Sequence, residues 1–171
     1  MKNKSILLFF LLFAISFFSK AQFKYSGRIE YSSLQYVGTL VRYETDRGDP
    51  YYMDERVNGK EINFVNGINI KERTFVGIGI SHLNFEKIKG FSTTLDLEYL
   101  LLKTKLSPLL NFRFGRDYLK NQYDVRKSSI IVGADFGVIY KPIKALNFYA
   151  KTGVFFTHNV SFYTWRGGIR F

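Results

Sequence analysis

Histidine is the side chain best suited to moving protons near neutral pH, and this chain has two, His82 and His158. Each has a serine nearby: Ser81 adjoins His82, and Ser161 lies three residues after His158. A serine and a histidine in contact form the core of a nucleophilic hydrolase site, in which the imidazole takes the hydroxyl proton. On an extended strand, however, side chains alternate between faces, so spacings of one and three separate both pairs. Only a turn around Asn159 would bring His158 to Ser161. Metal binding needs converging ligands, and the chain has no cysteine and only these two imidazoles. Both histidines are therefore expected as isolated rim or interfacial side chains. The GxG at Gly77 sits in a strand-like run with no helix after it, so it is not a phosphate cradle. Asp96 and Glu98 are spaced for acid–base work, but two acids one pleat apart also suit a charge network with cations such as Arg113. No catalytic residue, cofactor or metal is expected.

The elements that carry these residues are strands. After Gln22 the sequence runs in short segments of period-two alternation with no sustained 3.6-residue apolar stripe. Eight strands are expected: Tyr25 to Val37, Glu61 to Ile70, Phe75 to Phe85, Phe91 to Leu102, Leu109 to Leu119, Ser129 to Lys141, Leu146 to Thr157 and Val160 to Phe171. Pro50, Pro108 and Pro142 are assigned to connections, because proline cannot donate to an interior ladder. The connection from Gly38 to Lys60 is long, whereas those after Ile70, Leu102 and Lys141 are short. Short turns at one end and longer loops at the other suit an antiparallel up-and-down barrel. Asn66-Gly67 is also a hairpin signal and would split the second strand if it turned there.

Ahead of the strands, MKNKSILLFFLLFAISFFSKAQ has a basic start, an apolar run from Ile6 to Phe18 and small residues Ser19 and Ala21. This is the pattern of a cleaved secretory signal peptide, 1–21, leaving 22–171 as one domain. The apolar run is too short for a spanning helix. With Lys2, Lys4 and Lys20 removed, 22 basic residues stand against 14 acids, a formal +8. No dense Lys/Arg cluster appears, and an exported chain rarely meets nucleic acid, so no nucleic-acid partner is expected.

The charged side chains follow one parity. Arg28 and Glu30, Asp96 and Glu98, Arg113 and Asp117, Asp135, Lys151, and Arg166 and Arg170 share a face, five basic and five acidic. Gly77, Gly79, Gly115, Gly133, Gly137, Gly153 and Gly168 lie on it too. The opposite face carries Leu95, Leu97, Tyr99, Phe112, Phe114, Ile130, Val132, Phe136, Val138, Phe148, Val154, Trp165, Ile169 and Phe171. Balanced charge suits ions withdrawn from bulk water, and small residues suit the crowded inside of a narrow barrel. This implies a transmembrane barrel with a polar, side-chain-filled lumen and an apolar wall in which Tyr99, Tyr140, Tyr163 and Trp165 anchor the membrane interfaces. Arg116 breaks the parity and is expected at the rim near the third outer loop. The opposite assignment, apolar inside, would describe a secreted soluble barrel with an apolar ligand.

The stretch FVNGINIKERTFVGIGISHLNFEKIKGFSTTLDLEYLLLKTKLSPLLNFRFGRDYL resembles the small outer-membrane β-barrel-domain, or porin-like, proteins of Gram-negative bacteria. The likeness rests on a strand through Asn66-Gly67, spaced Gly77 and Gly79, the long strand Phe91 to Leu102, and Ser107-Pro108 in the next turn. It implies location in the outer membrane, insertion by the general barrel-assembly machinery, and no shared enzymatic activity or cofactor. The assembly signal it implies is the C-terminal strand, with Thr164, Ile169 and Phe171 fitting and Arg166 standing where glycine is common. Expected partners are outer-membrane lipid and lipopolysaccharide, the latter through Arg116, Lys120, Arg126 and Lys127, and an extracellular protein or glycan. The candidate surface-binding loop is the first, around Arg47, Tyr51, Tyr52 and Arg56. The protein is expected to be a monomer with a structural or surface-interaction role. A small selective pore and a lipid-modifying outer-membrane enzyme are the alternatives.

Overall fold

The computed structural model describes residues 23–39, 57–86, 88–120, 126–143 and 145–171. They form eight strands: β1 (Phe23–Thr39), β2 (Gly59–Ile70), β3 (Thr74–Phe85), β4 (Ile88–Leu100), β5 (Leu106–Lys120), β6 (Arg126–Ile143), β7 (Leu146–Thr157) and β8 (Val160–Arg170). Every strand pairs antiparallel with its sequence neighbours, and β1 also pairs with β8, which closes the sheet into a barrel. This is the expected eight-stranded up-and-down architecture. The expected signal segment 1–21 and the loop residues Arg47, Pro50, Tyr51, Tyr52 and Arg56 lie outside the described residues.

Closure leaves no unpaired edge among these strands, which is the condition for placing a sheet in hydrocarbon. The β1–β8 seam runs from Arg28↔Arg170 to Thr39↔Val160, with one irregularity between Tyr36 and Gly38. Phe171 extends it: its N–H donates to the Gly27 carbonyl at 3.0 Å and its carbonyl accepts from Gly27 N–H at 2.8 Å. The Phe171 ring covers Gly27, where a Cβ would come within 2.6 Å of it.

Several strand ends differ from the sequence reading. β4 begins at Ile88, and β5 and β6 are longer than expected, so Pro108 and Pro142 lie inside strands and not in connections. Both sit where an N–H is dispensable. Pro108 is near the start of β5, and its carbonyl accepts from Leu101 N–H at 3.0 Å. Pro142 falls within the register shift between Tyr140 and Ile143. Asn66-Gly67 does not turn: β2 runs through it, with Asn66 opposite Ile78 and Gly67 opposite Gly77. The reversal comes at Lys71 and Glu72, whose φ values of 52° and 61° give the paired left-handed residues of a tight hairpin. Gly67 serves close approach instead, since a Cβ there would lie 2.2 Å from the Val76 carbonyl oxygen.

The interior is layered, and here the expectation of a uniformly polar inward face needs correcting. Leu34, Leu83, Phe85, Ile88, Leu119, Ile131, Phe155, Val160 and Phe162 are buried together toward the rim where β1 ends and β2 begins. Phe85 and Phe162 have ring centroids 5.2 Å apart within this group. A smaller cluster, Leu100, Leu109, Ile139 and Tyr149, fills the opposite end. The charged side chains lie between these apolar layers, away from bulk water. Apolar residues share the inward parity at both ends because desolvated ions need partners only where ions are placed.

Candidate functional site: the lumen and the rim

All ten charged residues of the expected face are buried. Their outward counterparts are exposed, as at Leu95, Phe112, Phe136 and Trp165, so the barrel is polar at its centre and apolar on its wall.

The strands set up an alternating chain of ions. From β1, Arg28 donates to Asp96 Oδ1 and Glu98 Oε2, each at 2.7 Å, and its guanidinium lies 4.4 Å from the centroid of the Phe75 ring. From β8, Arg170 donates to the other Glu98 oxygen and also faces Phe75, at 5.0 Å. From β5, Arg113 spans Glu61 at 2.7 Å and Glu30 at 2.8 Å. Arg166, from β8, reaches the second Glu61 oxygen at 2.6 Å and Asp135 at 3.2 Å. Lys151, from β7, donates to Asn111 Oδ1 at 2.8 Å and pairs with Glu30 at 2.7 Å. Tyr149 O–H and the Asn63 side-chain Nδ2–H complete the Glu30 shell, both at 2.9 Å. Thr164, expected as part of the assembly signal, donates its hydroxyl to Asp135 at 2.8 Å inside the lumen.

Arg28, Arg113 and Arg166 each bridge two different carboxylates, and these charge-assisted hydrogen bonds give the arrangement its geometric definition. β3 supplies room in place of charge. A Cβ on Gly79 would meet Thr94 Oγ1 at 2.6 Å, and one on Gly77 would meet the Phe75 ring at 2.7 Å. Gly137 and Gly153 are equally constrained, by carbonyl oxygens of the neighbouring strand at 2.1 and 2.0 Å.

Three points depart from the expectation. Glu61 is a full member of the network although it was not assigned to the charged face, so six buried carboxylates face five buried Arg and Lys side chains among the described residues. Asp96 is held chiefly by Arg28, and its approach to Arg113 Nε is longer, 3.7 Å. Asp117 forms a separate group: it accepts from Thr157 O–H, from Ser129 N–H at 2.9 Å, and sits 2.9 Å from His158 Nε2. His158 is therefore not an isolated rim histidine.

The serine–histidine pairs do not meet. Ser81 points inward to Ser92 at 2.6 Å while His82 is exposed on the wall. A turn does form at His158 and Asn159, with φ of 48° and 61°. It aims His158 at Asp117, while Ser161 donates to the Gly38 carbonyl at 2.8 Å. Among the described residues no group of three His, Cys, Asp or Glu side chains is placed to hold a metal ion. The lumen carboxylates each already accept from a cation or hydroxyl, so this chemistry fills and ties the barrel.

At the short-turn rim, Tyr25, Tyr99 and Tyr140 are exposed on the wall, and Phe91 and Tyr118 occupy the opposite rim. Trp165 was expected near an interface but stands midway along β8, edge-on to Tyr163 at 5.5 Å. Arg116 is exposed on the wall four residues before the end of β5, further from the rim than expected.

No protein-family model matches the chain, and no curated protein matches it. Solved structures do. Neisserial surface protein A is similar over 87% of this chain and 97% of its own, at 14% identity and a TM-score of 0.68. The N-terminal β-barrel domain of Pseudomonas aeruginosa OprF is similar over 88% of this chain and 100% of its own, at 13% identity and a TM-score of 0.60. The chain thus shares the fold of these small eight-stranded antiparallel β-barrels.

Proposed function

We propose that the protein is an integral outer-membrane barrel, exported with residues 1–21 as a cleaved leader and inserted as a monomer by the barrel-assembly machinery. Its lumen is plugged, it catalyses no reaction, and it acts structurally or through its outer loops on an extracellular protein or glycan. The observation that carries this reading is the inversion of polarity, with Arg28, Glu30, Asp96, Arg113 and Asp117 buried while Ile78, Phe112, Phe114 and Phe136 are exposed on the wall. A soluble monomer rarely presents an apolar surface of more than a few hundred Å², whereas this one runs over several adjacent strands. Lipid surroundings remove that penalty.

The plug follows from the same packing. Charges tied across the centre and apolar clusters toward both ends oppose a continuous water path, and wide aqueous pores need about twice as many strands. Thr164, Ile169 and Phe171 are retained as the assembly signal, with Ile169 and Phe171 on the wall side. Refolding the mature chain into phospholipid vesicles and recording single-channel currents in a planar bilayer tests the proposal. A band whose gel mobility shifts on heating, without discrete openings, is the expected result. Reproducible openings would replace the plugged barrel with a selective pore.

A further inference from the structure

The short-turn rim carries charge that the lumen network does not use. Lys71 and Arg73 lie in the turn between β2 and β3, Lys103 and Lys105 in the connection between β4 and β5, and Lys141 near the end of β6. The first four are exposed and Lys141 partly so. Backbone hydrogen bonds hold these segments side by side: Leu100 N–H donates to the Arg73 carbonyl at 2.8 Å, and Lys141 N–H donates to the Lys105 carbonyl at 2.7 Å. The five cations therefore form one arc along the ends of β2 to β6. Among the described residues none of the five is ion-paired, and Glu72, the one exposed acidic side chain of this rim, acts on Lys141 only at longer range. Residues 1–22 and 144, outside the described residues, contain no aspartate or glutamate. The other acids outside the described residues fall in the connections that leave β1 and β5 from the opposite rim.

The β4–β5 connection shows what such an arc fits. It reads Leu101-Leu102-Lys103-Thr104-Lys105-Leu106, and all six residues are exposed. Ser107 pins it in place: its hydroxyl accepts from Leu102 N–H at 3.1 Å and donates to the Leu102 carbonyl at 2.7 Å, while Thr104 O–H donates to the Leu106 carbonyl. Leu106 is 58% exposed and Ile143, two residues after Lys141, is 59% exposed. Tyr140, exposed on the wall, is the ladder partner of Leu106. Lysines set between exposed leucines fit the boundary of head group and acyl chain, where apolar groups enter the hydrocarbon and ammonium groups stay among the phosphates. A soluble acidic polymer would meet the lysines and leave the leucines in water.

We infer that this arc binds an anionic phospholipid of the phosphatidylglycerol type in the leaflet on the short-turn side, with the phosphate held by Arg73, Lys103 and Lys105 and an acyl chain descending past Leu106 and Tyr140. Five cations against one exposed acid select an anionic head group over a zwitterionic one, since each basic residue near a membrane surface attracts anionic lipid by about 1 kcal/mol. The inference rests on the proposed membrane placement, with the β1–β2 connection outside. It adds to that reading the leaflet, the head-group charge and the residues of one contact.

The test uses the mature chain refolded in phosphatidylcholine nanodiscs doped with a photoactivatable phosphatidylglycerol or phosphatidylcholine, each with its reactive group near the head of one acyl chain. Cross-linked peptides are identified by mass spectrometry, which separates this rim from the opposite one. Stronger labelling of residues 99–106 and 139–143 by the phosphatidylglycerol probe is expected. The triple variant Arg73→Gln, Lys103→Gln, Lys105→Gln should lower the apparent affinity of that probe for this rim roughly a hundred-fold, at about 1 kcal/mol per cation. Lys60→Gln with Lys89→Gln at the opposite rim should leave it unchanged. Equal labelling of this rim by the two probes in the unaltered protein, or a preference that survives the triple variant, would overturn the site. Loss of the preference on adding soluble acidic cell-wall fragments would also overturn it, by giving the arc to a polymer. Heat-dependent gel mobility is followed in parallel: if the unaltered chain lacks it, the barrel reading falls together with the site, whereas a mobility shift without selective labelling removes the site alone.

Discussion

Arg166 shows most clearly what a single lumen side chain contributes. It holds Glu61 at 2.6 Å, Asp135 at 3.2 Å and the Ser32 hydroxyl at 3.0 Å, with no exposure of its guanidinium pairings to bulk water. Removing one partner of a buried ion pair leaves the others uncompensated, a loss of about 3–5 kcal/mol. Arg126 is exposed at the rim, where substitutions usually stay within about 0.5 kcal/mol. Arg166→Leu should therefore lower the denaturant midpoint of the vesicle-refolded barrel strongly and Arg126→Leu hardly at all, and equal losses would contradict the network. At this scale the charged face was readable, because period two and charge together select ten residues without any knowledge of partners. Glu61 was legible by the same rule, since Glu61 and Asn63 alternate with outward Ile62 and Phe64, and β2 inverts the pattern only at buried Val65 and exposed Asn66, to which Tyr25 O–H donates at 2.6 Å. Tyr149 and Phe75 were missed because of their residue type. An aromatic residue reads as wall by type although Tyr149 shares the parity of Lys151 and Phe75 that of Gly77; register across strands is what brings Phe75 to Arg28 and Arg170.

The strands themselves were legible in number and order, since alternation and turn residues are local signals, whereas their ends were not. Pro108 and Pro142 argued for connections, but a strand tolerates proline near its start or at an irregularity, and both conditions depend on the partner strand. The polarity of the interior was only partly legible, because Leu34, Leu83, Phe85 and Phe162 share the charged parity and gather only when the barrel closes. β8 closes that barrel, and its last residue adds two backbone hydrogen bonds to Gly27 while its ring covers that glycine. Deleting Phe171 removes a modest area and one ladder rung, yet it also removes the aromatic terminus of the proposed assembly signal. The truncated chain should refold into pure lipid vesicles with a small stability loss, but should reach the membrane in cells at sharply reduced yield. Comparable yields in cells for both chains would leave Phe171 a purely structural role.

For the molecule as a whole, the claim is that lipid, and not water, surrounds the apolar wall while the ions lie within. The single tryptophan of the chain makes this measurable. Trp165 is 54% exposed, on the wall side of β8 and midway along an 11-residue strand, beside Arg166, which turns inward. With the barrel refolded in vesicles, phospholipids brominated deep in their acyl chains should quench Trp165 fluorescence strongly, and aqueous iodide should quench it little. Strong iodide quenching with no effect of the brominated lipids would place the wall in water and contradict the account.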